Sequence, residues 1–433
     1  MEIMGLKFGD KGNSLSFKLL IIGFLLLVFL PAIGFVYFLV EDRSSREQSA
    51  IYEVSSKWGE RQVVKGPILA VPLKTKELSY AYFLPESLSV EANADSETRS
   101  RGIFDVPLYE AQIKATGSFT SPNFSKLGLT SDNADLANAF LIVGISDIKG
   151  LKSRPSFVVN GANFELSAGD KSGLVGAGLS SKFALDPQVA KYDFSLDLVL
   201  NGSNELGVSP LAKETVVELK SDWLSPSFSG DFLPVERELT DKGFEAKWQV
   251  LELNRSLPQQ WLSTDAVEFG SKYNEYGDGT MLGVEFLKAA DNYAKVERAV
   301  KYAIVVILLV FLTIFLLEVL ASYRVHPFQY ILVGLALVIF YALLLSLSEY
   351  WRFGWAYLTA VVATVGLITA FVRASLQNTR HGLILGGVLT GLYGFVYVLL
   401  QSADYTLLMG SVAVFILLAV VMYITRKIDW YKS

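Results

Sequence analysis

Glu318 and Glu349 are the residues best placed for chemistry in an otherwise uncharged third of the chain, because each stands at the edge of a long apolar run. A carboxylate in or beside a membrane can relay protons or hold an ion. Within a turn or so of a span end it can instead reach the interface and pair with a cation. Arg352 follows Glu349 by three residues, and Arg324 and His326 follow Glu318, so interfacial ion pairing is the expected role of this set. No charge occupies the middle of any of these runs, which weakens the case for proton-driven transport.

Ser146 and Lys149 have the S-x-x-K spacing of a serine–lysine acylase. Serine and lysine are common enough that roughly one such match arises by chance in a chain of this length. Ile142-Val143-Gly144-Ile145 before it reads as a strand running into a turn. Gly169-Asp170-Lys171-Ser172-Gly173 resembles a phosphate loop but lacks the four-residue gap between glycines, so it reads as a plain turn. No G-x-S-x-G elbow and no H-E-x-x-H helix occurs. The chain has no cysteine, which removes disulfides, thiolate nucleophiles and sulfur metal sites together. Its two histidines, His326 and His381, fall in short loops, too few for a histidine metal site. No catalytic residue, metal or cofactor is assigned.

The elements that hold these residues divide the 433-residue chain sharply. Nearly all charge lies between Glu41 and Lys301, while 302–425 is almost charge-free. A net charge of -5 without a basic stripe argues against nucleic acid. A membrane helix needs about 20 apolar residues. The first such run, 19–40, follows Lys7, Lys11 and Lys18, and it leads into Glu41, Asp42 and Arg43 with no small-x-small cleavage pattern. It reads as an uncleaved anchor. Five more runs follow at 302–321, 328–347, 354–372, 382–400 and 406–425. The expected architecture is six transmembrane helices in a 1 + 5 arrangement, with an extracytoplasmic domain at 41–301 between the anchor and the five-helix bundle.

Short-loop charge sets the orientation. With residues 1–18 in the cytoplasm, six spans return 426–433 there. The inner segments then hold Lys7, Lys11, Lys18, Arg324, Arg373, Arg380, Arg426, Lys427 and Lys432, and the short outer loops hold only Arg352, beside Glu349 and Asp404. Tyr350, Trp351 and Trp355 mark the outer interface, and Tyr323, Trp430 and Tyr431 the inner one. The fifth run carries the G-x-x-x-G pairs Gly382/Gly386 and Gly387/Gly391, spacing that lets helix backbones approach closely. Packing inside the bundle is the expected use; a dimer face is the alternative, and nothing else in the sequence supports a homo-oligomer.

Between Glu41 and Lys301 the periodicity becomes two. Residues 109–115, 192–198 and 244–250 alternate apolar and polar, which reads as strands with one wet face. Gly66-Pro67, Leu84-Pro85 and Asn201-Gly202 punctuate them. Antiparallel sheets in a sandwich or two sheet-rich lobes are expected. The Gly-, Ser- and Ala-rich stretch 167–181 reads as a surface loop, and 132–140 as a short helix. Trp223, between a strand-like run and the turn at Pro226, is read as a buried aromatic and a candidate for an interaction role.

Ordered motifs along nearly the whole chain carry a resemblance. They are Trp58-Gly59-Glu60-Arg61-Gln62-Val63-Val64-Lys65-Gly66-Pro67, Arg101-Gly102-Ile103-Phe104, Gly144-Ile145-Ser146-Asp147 and Ser221-Asp222-Trp223 with Pro226-Ser227-Phe228-Ser229-Gly230. In the last third they are His326-Pro327-Phe328-Gln329-Tyr330, Ser346-Leu347-Ser348-Glu349, Leu392-Tyr393-Gly394, Gln401, Asp404-Tyr405 and Asp429-Trp430-Tyr431. The chain closely resembles the CreD family of inner-membrane, cell-envelope integrity proteins. The resemblance implies a Gram-negative inner membrane and envelope maintenance under a two-component system, with effects on colicin and β-lactam responses. It supplies no catalytic residues to carry over. Three readings follow. The first is a non-enzymatic envelope protein whose periplasmic domain binds another protein or a cell-wall component. The others are a transporter or lipid-handling protein built on the bundle, and a membrane-tethered hydrolase resting on Ser146 and Lys149. Beyond those partners, the lipid bilayer is the one interaction the apolar runs require.

Overall fold

The computed structural model describes residues 15–75, 78–265, 280–286, 292–321, 325–375, 377–402 and 406–426. The chain forms two compact units. One holds Met1–Glu47 with Ala290–Ser433, the other Gln48–Ala289.

The helical unit contains α1 (Leu15–Trp58, continuing past Glu47 into the second unit), α2 (Asn292–Lys301), α3 (Ala303–Ala321), α4 (Pro327–Ser348), α5 (Phe353–Ser375), α6 (Thr379–Gln401) and α7 (Thr406–Thr425). Among the described residues, α1, α4, α5 and α6 are each long and apolar enough to cross a membrane. The pair α2 and α3, bent by 44° at their junction, would make a fifth such span. The apolar part of α7, Leu408–Tyr423, is shorter.

Two departures from the sequence reading have plain causes. First, α1 runs on for 17 residues beyond Glu41, the point where its apolar run ends. Hydropathy marks where a helix leaves lipid, whereas the helical backbone persists through 42–57, a polar stretch with the i,i+4 pairs Asp42–Arg46 at 2.9 Å and Glu53–Lys57 at 3.1 Å. Second, residues 292–301 belong with the bundle rather than with the β-rich domain. Their buried positions Tyr293, Val296, Ala299 and Val300 fall at helical spacing, so one side of α2 is covered.

α1 is a packed member of its unit. Ile22, Leu25, Phe29, Val36 and Val40 are buried along one stripe. A side chain on Gly334 of α4 would come within 2.3 Å of the Phe29 ring, so the glycine lets the two helices close up there. An aromatic column continues inward, Phe29 to Phe311 at 6.0 Å and Phe311 to Tyr330 at 5.4 Å, both edge-on. Deeper in the bundle, Phe340 meets Tyr393 at 4.3 Å, and the Tyr357 hydroxyl donates to the Tyr393 carbonyl at 2.7 Å. The two G-x-x-x-G pairs part company. Gly382 and Gly386 lie against Arg373 and Thr369 of α5, while a Cβ placed on Gly387 or Gly391 would point into open space.

The second unit is two sheets. Sheet I runs Pro226–Gly230, Leu282–Phe286, Glu205–Val208, Gln62–Pro72, Phe140–Ile145, Gly178–Lys182, Ser167–Ala168, with Tyr80–Phe83 also paired to Gln62–Pro72 and Gln260–Leu262 paired to Tyr80–Phe83. Sheet II runs Glu236–Thr240, Gly243–Leu251, Glu214–Ser221, Ser87–Arg101, Phe104–Thr120, Lys191–Ser203, Ser156–Val159, Ala162–Phe164. The sheets are mixed, not antiparallel throughout. Gln62–Val64 pairs in parallel with Leu206–Val208, and Ser87–Ala94 with Glu214–Ser221, each partner being far along the chain, as a parallel crossover requires.

The inner faces share one core, with Leu69, Val71 and Val143 of sheet I against Val90, Ile113, Leu196 and Trp248 of sheet II. That arrangement is the sandwich anticipated from the alternation. The outer face of sheet II is wet, as Ser87–Arg101 shows by alternating buried and exposed positions. Part of sheet I's outer face carries a second apolar cluster around Ile68, Tyr82, Ile142 and Trp261, so Gln62–Pro72 and Phe140–Ile145 are covered on both sides. Gly66-Pro67, read from sequence as punctuation between strands, lies inside Gln62–Pro72, where the pairing register shifts between Lys65 and Ile68. The expected helix at 132–140 is a pair of single 3₁₀ turns, Ser131–Asn133 and Leu136–Asn138, followed by strand from Phe140.

Candidate functional site

Both membrane-edge acids are paired, and each with a cation from α1 rather than from its own helix. Glu318, its side chain 3% exposed, accepts from Lys18 Nζ at 2.6 Å, from the Val325 N–H at 3.0 Å and from the Tyr330 hydroxyl at 3.4 Å. Glu349 faces Arg43 at 3.5 Å and accepts from the Tyr293 hydroxyl at 3.3 Å. The neighbours proposed from sequence serve otherwise. His326 caps α4, its Nδ1 accepting from the Phe328 N–H at 3.2 Å, and Arg352 is exposed, its carbonyl accepting from the first turn of α5. Arg324 lies outside the described residues. Sequence spacing sees only local pairs; the partners here are 300 and 306 residues apart.

Lys18 and Arg43 are separated by 25 residues of one helix, about 37 Å at 1.5 Å per residue. A bilayer's hydrocarbon core is about 30 Å thick. The two clamps therefore bracket such a core, each near an interface where a charge can be partly solvated. Tyr350, Trp351 and Trp355, expected from sequence at the outer interface, are exposed and stand at the Glu349 level of the bundle; their expected inner counterparts Tyr323, Trp430 and Tyr431 lie outside the described residues.

In the β-rich unit a cavity of about 280 Å³ opens on the outer face of sheet I, lined by Glu60, Arg61, Lys65, Ile145, Ser146, Asp147, Val175 and Ala177. Arg61, Val63 and Lys65 alternate onto this face because strand side chains repeat every two residues. Arg61 pairs with the Glu205 carboxylate, which also accepts from the Ser229 hydroxyl at 2.6 Å. Lys65 is only 8% exposed. Opposite it in register is Gly144, where a side chain would press within 3.1 Å of both the Lys65 and the Val175 Cβ; the glycine leaves the space that these two residues share.

The wall carrying Val175 and Ala177 is the stretch read from sequence as a surface loop. It is ordered by Asp170, whose carboxylate accepts from the Ser172 N–H at 2.8 Å, the Ser172 hydroxyl at 2.7 Å and the Val175 N–H at 2.9 Å. That reading is corrected at both ends of 167–181, which are strands of sheet I, Ser167–Ala168 and the largely buried Gly178–Lys182, so the loop is confined to 169–177. A clustered Asp-x-Ser-x-x-Val pattern between glycines was its signal, an Asx-type turn rather than a slack linker.

Ser146 and Lys149 are not brought together as a dyad. The Ser146 hydroxyl closes the strand pairing, accepting from the Val63 N–H at 3.1 Å and donating to its carbonyl at 3.4 Å. Lys149 is exposed, and its backbone N–H donates to Asp147 at 3.1 Å. The cavity's own cations, Arg61 and Lys65, were missed as site residues. Their signal was a pair of charges at same-face positions in an otherwise apolar strand. Trp223 is half-buried, edge-on to Phe286 at 6.1 Å, with its Nε1 donating to the Ser225 carbonyl at 3.2 Å. The fully buried tryptophan is Trp248, whose Nε1 donates to the Phe232 carbonyl at 3.0 Å. No cluster of metal-ligating side chains occurs among the described residues.

The profile of the family described as "Inner membrane protein CreD" matches residues 14–431. The chain belongs to the CreD family. It is 32% identical over 429 residues to the protein named "Inner membrane protein CreD" of Escherichia coli (strain K12), covering 94% of this chain and 92% of that one. Membership and the apolar helices together make this a multi-pass inner-membrane protein. The segment 58–67, which opens the resemblance to CreD, supplies Glu60, Arg61 and Lys65 of the cavity.

Proposed function

We propose that this member of the CreD family acts without catalysis in maintaining the cell envelope, using its β-rich domain to bind another protein or a cell-wall component on the outer side of the membrane. Six spans in a 1 + 5 arrangement carry it, with both ends of the chain in the cytoplasm. The bias of Lys and Arg toward the inner short loops supports that orientation. The observation that carries the binding reading is the cavity on sheet I, a polar recess between an ordered loop and a buried lysine, beside a serine spent on closing backbone hydrogen bonds. A recess with a few placed polar groups suits recognition, whereas a nucleophile needs a base in hydrogen-bond reach.

The bend between α2 and α3 favours a second reading, transport or lipid handling by the bundle, because broken helices often line transport sites. The buried acid beside α2, Glu349, is already engaged by Arg43 at 3.5 Å and by the Tyr293 hydroxyl at 3.3 Å, which favours the first.

Ala177 is exposed at the cavity's rim, so Ala177→Trp should fill the recess without disturbing a core. In cells lacking the native protein, the variant is expected to reach normal abundance in the membrane and fail to restore resistance to envelope stress. Full restoration by an abundant variant overturns the binding reading in favour of the bundle.

A further inference from the structure

The two sheets end unevenly on one side of the sandwich. Sheet II ends there in Glu236–Thr240 and sheet I in Pro226–Gly230. Phe228 packs edge-on against Phe244 and Trp248, at 6.0 and 5.9 Å, so the last strand of sheet I lies over Gly243–Leu251. Glu236–Thr240 is the next strand out, and no described strand of sheet I is left to cover it. Leu239 pairs with Phe244 and Arg237 with Ala246, so both face inward like those core residues. Yet Leu239 is 59% exposed, and Arg237 is exposed as well. Val235, just before the strand, is 62% exposed. The Arg237 guanidinium lies 5.9 Å over the Phe228 ring and makes no ion pair among the described residues. Glu236 and Glu238 point to the opposite face, in register with Lys247 and Glu245.

The sheet edges are also guarded unequally. A free strand edge invites another chain to pair, and short length or charge discourages it. Ser167–Ala168 and Ala162–Phe164, at the opposite ends of the two sheets, have two and three residues. Glu236–Thr240 carries Glu236, Arg237 and Glu238. Pro226–Gly230 has five residues and no charge, and among the described strands it pairs only with Leu282–Phe286.

We propose that this open edge takes up one extended segment of a partner protein as an added strand. The segment pairs with Pro226–Gly230 and lies over Glu236–Thr240, filling the place that sheet I leaves empty. The inference rests on the reading of the β-rich domain as a binding module, and it gives that module a protein partner at a surface outside the recess. A polypeptide is the fitting ligand because a backbone satisfies a row of strand N–H and C=O groups, while side chains set specificity. The inward row dictates that specificity. An acidic residue belongs over Arg237, with apolar residues two places to either side of it over Leu239 and Val235. The acid forms a charge-assisted pair with Arg237 as the added strand shuts out water.

The test uses the full chain in detergent and the fluorescence anisotropy of a labelled peptide, Lys-Ser-Val-Thr-Glu-Thr-Val-Ser-Lys. The peptide is expected to bind, and exchanging its glutamate for lysine to weaken binding about tenfold. Arg237→Glu should reverse that preference, and Leu239→Lys should weaken the glutamate peptide by about the same factor. Both positions are exposed, so neither variant disturbs the core. N-methylation of alternate peptide residues should abolish binding on the edge that faces Pro226–Gly230 and be tolerated on the other. Absence of binding, indifference to both methylation patterns, or a glutamate preference that survives Arg237→Glu overturns the proposal. So does a dimer of the chain that Leu239→Lys dissolves, since the edge then belongs to a second copy. If the peptide does not bind while Ala177→Trp still abolishes complementation, the edge has failed and the binding module stands. If the peptide binds while Ala177→Trp complements fully, the edge stands and the recess has failed.

Discussion

In the helical unit the described residues include two buried carboxylates, Glu318 and Glu349, with side chains 3% and 7% exposed, and both hold α1. In the β-rich unit the buried charged side chains among the described residues are Lys65 and Glu205, and they gather with Arg61 on one face of one sheet, beside a cavity. The solvents explain the difference. Lipid offers no water to an unpaired charge, so a bundle can afford a carboxylate only at a span end with its cation already supplied. A water-facing sheet can keep charges half-withdrawn, because a recess is wet until something displaces the water. The bundle's charges thus join helices, and the domain's charges gather on one face of a sheet that water can reach.

The largest effect should come where neither unit uses charge at all. Trp248 is fully buried between the sheets with Phe228 edge-on at 5.9 Å, so Trp248→Ala should remove about 3–5 kcal/mol. Trp223, only half-buried, should lose about 1–2 kcal/mol on the same change. Denaturant unfolding of the full chain, followed by protease resistance of the β-rich part, reads both. Equal losses would mean that the domain is not held chiefly by its inter-sheet core.

A smaller effect separates the two clamps. Lys18→Met leaves Glu318 buried without its cation, at a cost of about 3 kcal/mol. Arg43→Met also strands a buried carboxylate, but the pair is longer, at 3.5 Å, Arg43 is 43% exposed and the Tyr293 hydroxyl still donates to Glu349, so it should cost less, about 1–2 kcal/mol. Pairing Lys18→Met with Glu318→Leu should recover most of the first loss, since two apolar residues then replace the ion pair. Thermal inactivation in detergent orders the four proteins. If Arg43→Met is the more damaging, the clamp at Glu318 is not the tighter of the two.

What the sequence disclosed follows from which signals are local. The apolar runs located α3 to α7 to within a few residues, because lipid imposes the pattern on every residue of a span. The alternating strands at 109–115, 192–198 and 244–250 were legible for the same reason, each having one wet face. Gln62–Pro72 and Phe140–Ile145 were not read as neighbours because both their faces are covered and nothing alternates. They are the strands that build the cavity. The acids Glu318 and Glu349 were singled out by position, yet their partners Lys18 and Arg43 could not be, since pairing across some 300 residues leaves no spacing to read.

The smallest effect probes whether the β-rich unit tolerates charge as loosely as this comparison claims. Glu285 lies directly across the strand pair from Glu205. Burial raises its pKa above the usual carboxylate value, the Glu205 charge raises it further, and Arg61 offsets part of the shift. A carboxyl whose pKa is raised on folding stabilises the fold fully below the unfolded value, and that contribution disappears as pH climbs through the folded value. At neutral pH the ionised group is therefore a net cost. Glu285→Gln should raise the melting temperature at pH 7 by on the order of 1 °C, in keeping with a partly solvated site. Near pH 4 the gain should vanish, because wild-type Glu285 is then protonated. The readout is the difference between variant and wild type at each pH, which cancels pairs such as Glu218–Lys247 that weaken in acid in both proteins. A gain that persists unchanged at pH 4 would mean that shape, not charge, sets the effect. A loss at pH 7 would show that Arg61 depends on Glu285 as well as on Glu205, and that this face is as tightly balanced as the clamp at Glu318.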